Sequence, residues 1–425
     1  MRAALPVVSV FVVGLLLVIS FGADWSNLSA GGSVDLRNRI TGARLLQSHR
    51  DAYHYKWKLP EPPEFCDPYN NLALPISKVT VTPTLLMLNF PLAALPYRPA
   101  QFIWLISQWL LLLGAGLIWM RLIPSFRLRW LWAAVVVGFT YTAAWRLHAE
   151  RGQAYVVMIF LLACWMVVTI HPRFGNSLRG GLLAGLLVAL RPPLLLLLWP
   201  FMLLRRRGQL VGAIIGLVLS AGPPLLWSSS CWSDYQSGMQ TWSDLYRAGT
   251  ANPRPPAQAF PAFVEDISID VLGSFAQIPF ADTSVFALFQ SWEFYSVPVL
   301  PVALTLVALV ALWFWLSKKQ TQEVLLVGIA AWSFLVDLFL PAYRNSYNDI
   351  LILNVVALGL LIRNRHPWTI WLLLAAWPVG WGIAWMTPYV KWIINLPTLI
   401  MVVASVLVLL RPAFDKASPK PDALT

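Results

Sequence analysis

Asp35 stands in a pattern that could do chemistry. Gly31-Gly32-Ser33 give a mobile approach, and Leu36, Ile40, Ala43 and Leu46 follow at helical spacing. Ser33 is expected to cap a helix beginning at Asp35, with its apolar face on the membrane surface and Arg37 and Arg44 on another side. An acid in a helix's first turn gains a few tenths of a kcal/mol up to about 1 from the dipole. Position alone therefore leaves two readings open, a helix stabiliser and a proton acceptor. The other arrangements that carry chemistry are missing: there is no Gly-rich phosphate loop, HExxH, GxSxG or CxxC. No DxD pair offers carboxylates to a metal, and His49, His54, His148, His171 and His366 are too scattered to form a metal set. Arg191 differs from the other cations because it interrupts an apolar run, followed by Pro192-Pro193. An ionisable group at membrane depth is expensive and marks a functional place by default. Asp337, four residues before Pro341, can pair with Arg191, with Arg344 or with neighbouring backbone.

The elements that must position these residues follow from composition. Of 425 residues, 58% are hydrophobic and 12% charged, where a soluble domain carries about a quarter charged. Apolar stretches of roughly 18 or more residues recur, each able to cross about 30 Å of hydrocarbon. The 23 tryptophans suit the edges of such spans. A net charge of +12 does not indicate nucleic acid, because the basic residues sit in short clusters between apolar stretches.

Those clusters allow the chain to be threaded. With Arg2 in the cytoplasm, a retained first helix (Leu5 to Ala23) runs outward, leaving Asp24 to Lys78 outside. Helices at Ala100 to Met120, Trp130 to Trp145 and Gln153 to Ile170 then alternate, placing Arg121, Arg127, Arg129, His171, Arg173 and Arg179 inside. A single crossing from Gly180 to Leu204 would put Arg205-Arg206-Arg207 outside; a break at Arg191-Pro192-Pro193 into two half-helices restores the rule. Val81 to Leu95 is short and holds Pro83 and Pro91, so it reads as re-entrant or interfacial. Further spans fall at residues 209–228, 296–316, 323–341, 347–362, 367–386 and 392–410. The expected architecture is all-α and polytopic, a single transmembrane domain over residues 1–425 with about 10–12 membrane helices. Two long loops, residues 24–80 and 228–295, lie outside, and both termini, including the tail 411–425, lie in the cytoplasm.

The order of several short motifs resembles the GT-C superfamily of membrane glycosyltransferases, and most closely glycosyltransferase family 87. They are Asp35, Asp51-Ala52-Tyr53, Thr80-Val-Thr-Pro-Thr84 leading to Pro91, Gly152-Gln153, Arg191-Pro192 (with Arg where Lys is common), and the polar turn Tyr343 to Asp349. This resemblance implies a GT-C-like bundle and a hexose or pentose moved from a polyprenyl-phosphate donor to a lipid or glycan acceptor. Asp35 would be the general base of an inverting transfer at the extracytoplasmic face of the cytoplasmic membrane, its pKa raised toward working pH by partial burial, with no cofactor or metal. The leaving group is then a phosphate, and His148, Arg151, Arg191 and Arg344 are the cations placed to meet it. Arg37, Tyr53, Gln153, Asp337, Tyr343 and Asn348 would contact substrate. The implied partners are the lipid-linked donor, the acceptor and membrane lipid.

Two other functions fit some of these features. A transporter or flippase predicts charges along several spans and inverted repeats, whereas these charges gather at one mouth. A lipid-linked glycan polymerase or ligase predicts key arginines and a histidine in a late loop, where this chain has only Arg247 and Arg254. Cys164 falls within a span and is expected to be a small buried apolar residue, inert as a thiol. Cys66 and Cys231 fall on one oxidising face, leaving open either a bridge or two free thiols.

Overall fold

The computed structural model describes residues 4–31, 33–55, 57, 60–68, 79–170, 177–198, 207–247 and 346–362, and among them only helices and turns occur. The expected spans at 296–316, 323–341, 367–386 and 392–410, the C-terminal tail, Asp337, Tyr343 and Arg344 lie outside the described residues.

Helix α1 runs from Ala4 to Gly31, longer than the apolar run alone suggests. Asp24 is not the start of a loop: it is buried inside this helix. Its carboxylate accepts hydrogen bonds from the indole N–H of Trp109 (3.1 Å) and Trp145 (2.7 Å) and from Arg146 (2.5 Å). A buried charge persists only when paired in this way. α5 (Tyr97–Leu122) packs antiparallel to α1, with Trp25 against Phe102 and Phe21 against Trp109. α6 (Phe126–Thr140) returns along α5, the Trp132 indole donating to the Gly116 carbonyl.

The stretch Arg146 to Arg151 is not an exposed polar turn. It belongs to α7 (Ala143–Arg151), which breaks against α8 (Tyr155–Ile170) at a bend of 113°. α8 runs parallel to α5, Trp104 meeting Gly152 at one end and Phe160 meeting Gly114 further along. α9 (Leu178–Leu190) stops at Arg191, because Pro192 and Pro193 disfavour its continuation; a 3-10 segment, Pro192–Leu198, follows.

α10 (Arg207–Ala221) then packs on α9 with backbones touching: Gly181 lies against Gln209 and Ala213, and Gly185 against Ala213 and Leu217. Both partners advance together, so α9 and α10 are parallel, and the chain leaving α9 at Arg191 has returned to the level of Leu178 by Arg207. This is the re-entrant break that the arginine clusters required. The directions of α1, α5, α6, α8, α9 and α10 all agree with the alternation read from charge. Val10–Ser29, Tyr97–Leu122 and Arg207–Leu226 are long and apolar enough to cross a membrane, and the bent α7–α8 pair adds a fourth if it forms one span.

Val81 to Leu95 does not cross. It forms α3 (Pro83–Leu88) and α4 (Phe90–Ala93), and Thr82 and Thr84 donate hydroxyls to the Leu190 and Ser220 carbonyls at the last turns of α9 and α10. Those carbonyls have no partner within their own helices, so the Thr-Pro-Thr motif closes two helix ends at once. At the far end of the described chain, α12 (Ile352–Ile362) is tied in by Asn354, which accepts from the Trp119 indole and donates to the Ile159 carbonyl. The intervening helix α11 (Cys231–Arg247) covers α3.

Candidate active site

Helix α2 (Val34–Gln47) carries Asp35, but neither its cap nor its setting is the expected one. Ser33 has a left-handed backbone (φ 53°) and makes no side-chain cap; its hydroxyl accepts from Gln101 and its carbonyl from the Tyr97 hydroxyl. The helix does not lie on a membrane surface. Leu36, Ile40, Ala43 and Leu46 are buried in protein, and so are Asp35, Arg37 and Arg39. A helix with charges on its second face can be buried because the surrounding loops supply partners. Arg37 donates to Asp67 (2.8 and 2.6 Å), and Arg44 donates to the carbonyl of Ala93 at 3.0 Å.

The turn between α7 and α8 presses on the first turn of α2. Gly152 has φ 69°, and a Cβ there would sit 2.7 Å from the Leu36 Cβ. Only glycine permits both the conformation and the approach. Arg151 and Gln153, on either side of it, both reach Asp35: the Arg151 guanidinium donates at 2.5 and 3.3 Å, and the Gln153 amide at 2.5 Å. Arg39, four residues after Asp35, donates to the Gly152 carbonyl and to Gln153 Oε1, each at 2.5 Å. Arg39 thereby fixes which end of the Gln153 amide faces the acid. Burial pushes the Asp35 carboxyl pKa up, but Arg151, Arg39 and Gln153 together outweigh it and hold it below the ordinary carboxylate value. Asp35 is an ionised carboxylate at neutral pH.

Arg191 stands one step away. Its guanidinium lies 4.7 Å from the centroid of the Tyr155 ring, the first residue of α8 and two after Gln153. Tyr155 is followed by Tyr235 of α11 and then by Tyr53, whose ring meets Tyr235 edge-on at 5.7 Å. Burial raises the Tyr235 phenol pKa, and the Arg191 charge pulls it back. Tyr53 is buried, donating to the Val81 carbonyl at 2.8 Å.

The remaining candidates are placed differently. His148 is fully buried beneath the turn, stacked on Trp145, with Nε2 accepting the Val156 N–H at 3.3 Å. Arg37 is turned toward Asp67, and Asn348 is buried in the 3-10 segment Ser346–Leu351, packed on α7 and α8. The structure thus brings Asp35, Arg151 and Gln153 into contact, with Arg191 nearby. Sequence reasoning missed Arg39, although the Asp35–Arg39 spacing is that of facing residues on a helix. It also missed the pairing of Arg151 with Asp35. Cys66 and Cys231 are buried free thiols in separate surroundings. Cys231 packs with Tyr53 and Leu86; Cys66, beside Asp67, has its pKa pushed up to about 12, by burial first. Cys164 is only partly buried.

An ionised carboxylate held by a guanidinium and an amide, with a further guanidinium on the Tyr155 ring at the start of α8, can accept a proton while cations meet an anion. No curated protein and no solved structure matches the chain. One family model does, over residues 80–341, from the Thr-Pro-Thr motif through Arg151, Gln153 and Arg191, with Asp35 N-terminal to the matched residues. That match covers more than half of the chain, and the chain belongs to glycosyltransferase family 87.

Proposed function

We propose that the protein transfers a hexose or pentose from a polyprenyl-phosphate donor to a hydroxyl of a lipid or glycan acceptor, with inversion and Asp35 as general base. The observation that carries this reading is the Asp35 carboxylate held by Arg151 and Gln153, with Arg191 over the ring of Tyr155, two residues beyond Gln153. An acceptor hydroxyl within about 2.6–3.2 Å of Asp35 gives its proton to the carboxylate as its oxygen attacks the anomeric carbon. The bond from that carbon to the phosphate oxygen breaks, and the polyprenyl phosphate leaves with the electron pair. Arg191 and Arg151 meet the charge that develops, so the reading assigns that positive charge to guanidinium groups.

Arg151 has two anions to serve. In the resting site it pairs with Asp35. Phosphate arriving beside it competes for the guanidinium, weakens one of the causes that depress the Asp35 pKa, and makes the carboxylate more basic when donor is bound. His148 acts through the turn, holding the start of α8. Tyr53 and Asn348, both buried, are read as substrate contacts, while Arg37 positions α2. Asp337, Tyr343 and Arg344, the other expected contacts, lie outside the described residues.

The side of the membrane is read from where the arginines gather. Arg121, Arg127, Arg129, Arg179 and Arg207 stand at the ends of α5, α6, α9 and α10 far from Asp35. The positive-inside rule reads that end as cytoplasmic, which supports a site at the extracytoplasmic face of the cytoplasmic membrane. Arg191→Ala is expected to raise the KM for donor more than the KM for acceptor, because its partner is phosphate. Steady-state kinetics with each substrate varied in turn checks this, and an equal loss for both would assign Arg191 to folding.

A further inference from the structure

We propose that Asp51, His54 and Asp234 form a binding site for one divalent cation of the zinc class, tying the segment after α2 to α11. This site stands apart from the Asp35 centre and does not depend on which residue is the base. One ligand atom from each of the three residues lies within 4.8 Å of the others. In a tetrahedral shell with bonds near 2.0–2.1 Å, ligand atoms stand about 3.3 Å apart, so modest closure completes the set.

Each donor is already oriented. Asp51 Oδ1 accepts the backbone N–H of Tyr53 (2.8 Å) and of His54 (3.1 Å), which folds the turn and leaves Oδ2 at 2.9 Å from His54 Nδ1. Asp234 Oδ2 accepts the Ser230 hydroxyl at 2.7 Å, fixing that carboxylate in the first turn of α11. His54 Nε2 lies 3.4 Å from the Ser237 hydroxyl, one turn further along the same helix. The two carboxylates come from segments far apart in sequence, and among the described residues neither makes an ion pair with an arginine or lysine.

The donor set selects the ion. Imidazole with carboxylates suits zinc and its transition-metal neighbours, whereas magnesium and calcium prefer all-oxygen shells. Three protein ligands on half-exposed residues leave a position for water. The consequence is mechanical. Asp51 precedes Tyr53 by two residues and Asp234 immediately precedes Tyr235, so the cation would clamp both tyrosines of the edge-on pair and hold α11 beside Tyr155 and Arg191.

The test uses the full chain, purified through a histidine-free tag, stripped with chelator and titrated with zinc chloride. The expected result is one saturable zinc per chain in the micromolar range or tighter, with a rise in melting temperature. His54→Gln and Asp234→Asn are each expected to weaken binding by at least about tenfold. Asp234→His, which keeps a donor, retains binding, and so does His49→Gln. The retained binding of Asp234→His separates loss of a ligand from loss of fold. No saturable zinc binding, equal binding by His54→Gln and the wild type, loss in all three site variants alike, or magnesium binding as tightly as zinc would each overturn the proposal.

Discussion

Asp35→Asn is expected to lower sugar transfer by about 10²–10⁴-fold, the range that a positioned general base contributes, in a chain that still folds. Asn keeps the shape of the side chain and an oxygen that can accept from Arg151 or Gln153, so α2 stays seated between the loop and the α7–α8 turn. What disappears is the basic lone pair. Purified protein, assayed with a polyprenyl-phosphate sugar and compared with wild type, checks this; activity within a few-fold of wild type would end the assignment. The same variant has a pH signature. The folded pKa of Asp35 is depressed, so the stability it contributes is complete above the ordinary carboxylate pKa and is lost as pH falls through the lower folded value. Asp35→Asn removes that part of the acid-side loss.

The largest expected effect on stability comes from the other side of α2. Arg37 and Asp67 form an ion pair with almost no exposure to solvent, and removing one member of such a pair leaves a buried charge without its partner. Asp67→Ala is therefore expected to cost about 3–5 kcal/mol, while the double change Arg37→Met with Asp67→Leu recovers most of it. Thermal unfolding in detergent measures both. A loss below about 1 kcal/mol in the single variant would mean that the pair is solvated and does not hold α2.

The long-range order of the helices was legible because it depends on properties that a single sequence carries. Apolar length gave the spans, and the arginine clusters demanded a return at Arg191-Pro192-Pro193, which the parallel pair α9 and α10 bears out. The short, proline-bearing stretch after Thr80 was rightly read as non-crossing. The failures share one cause. Charged residues were taken as solvent-facing when a distant segment supplies their partner. Asp24 ends the apolar run in sequence, yet it is buried because Trp109, Trp145 and Arg146 come to it from α5 and α7. Arg146 to Arg151 reads as a polar turn for the same reason. α2 shows one apolar stripe, but Asp67, Gly152 and Gln153 satisfy its charged face as well. Asp35 was found, along with Arg151 and Gln153 as separate candidates. Their contact spans more than a hundred residues of chain and leaves no local trace. Scattered histidines hid His54 in the same way, since Asp234 lies 180 residues beyond it.

The family settles a competition that composition left open. Broken helices near charged groups suit a transporter as well as a lipid-dependent enzyme, and the bent α7–α8 pair is such a break. Membership of glycosyltransferase family 87 makes the break part of a transferase, and the chemistry at the turn is consistent with that role.

Sugar transfer to a lipid or glycan acceptor is tested most directly by mass spectrometry of the lipids and glycans of cells with and without the protein, and of cells carrying Asp35→Asn in its place. The account predicts that cells lacking the protein accumulate an acceptor short of one hexose or pentose, that the wild-type chain restores the larger product, and that the Asp35→Asn chain, present at the same level in the membrane, does not. Identical lipid and glycan profiles in all three would contradict it.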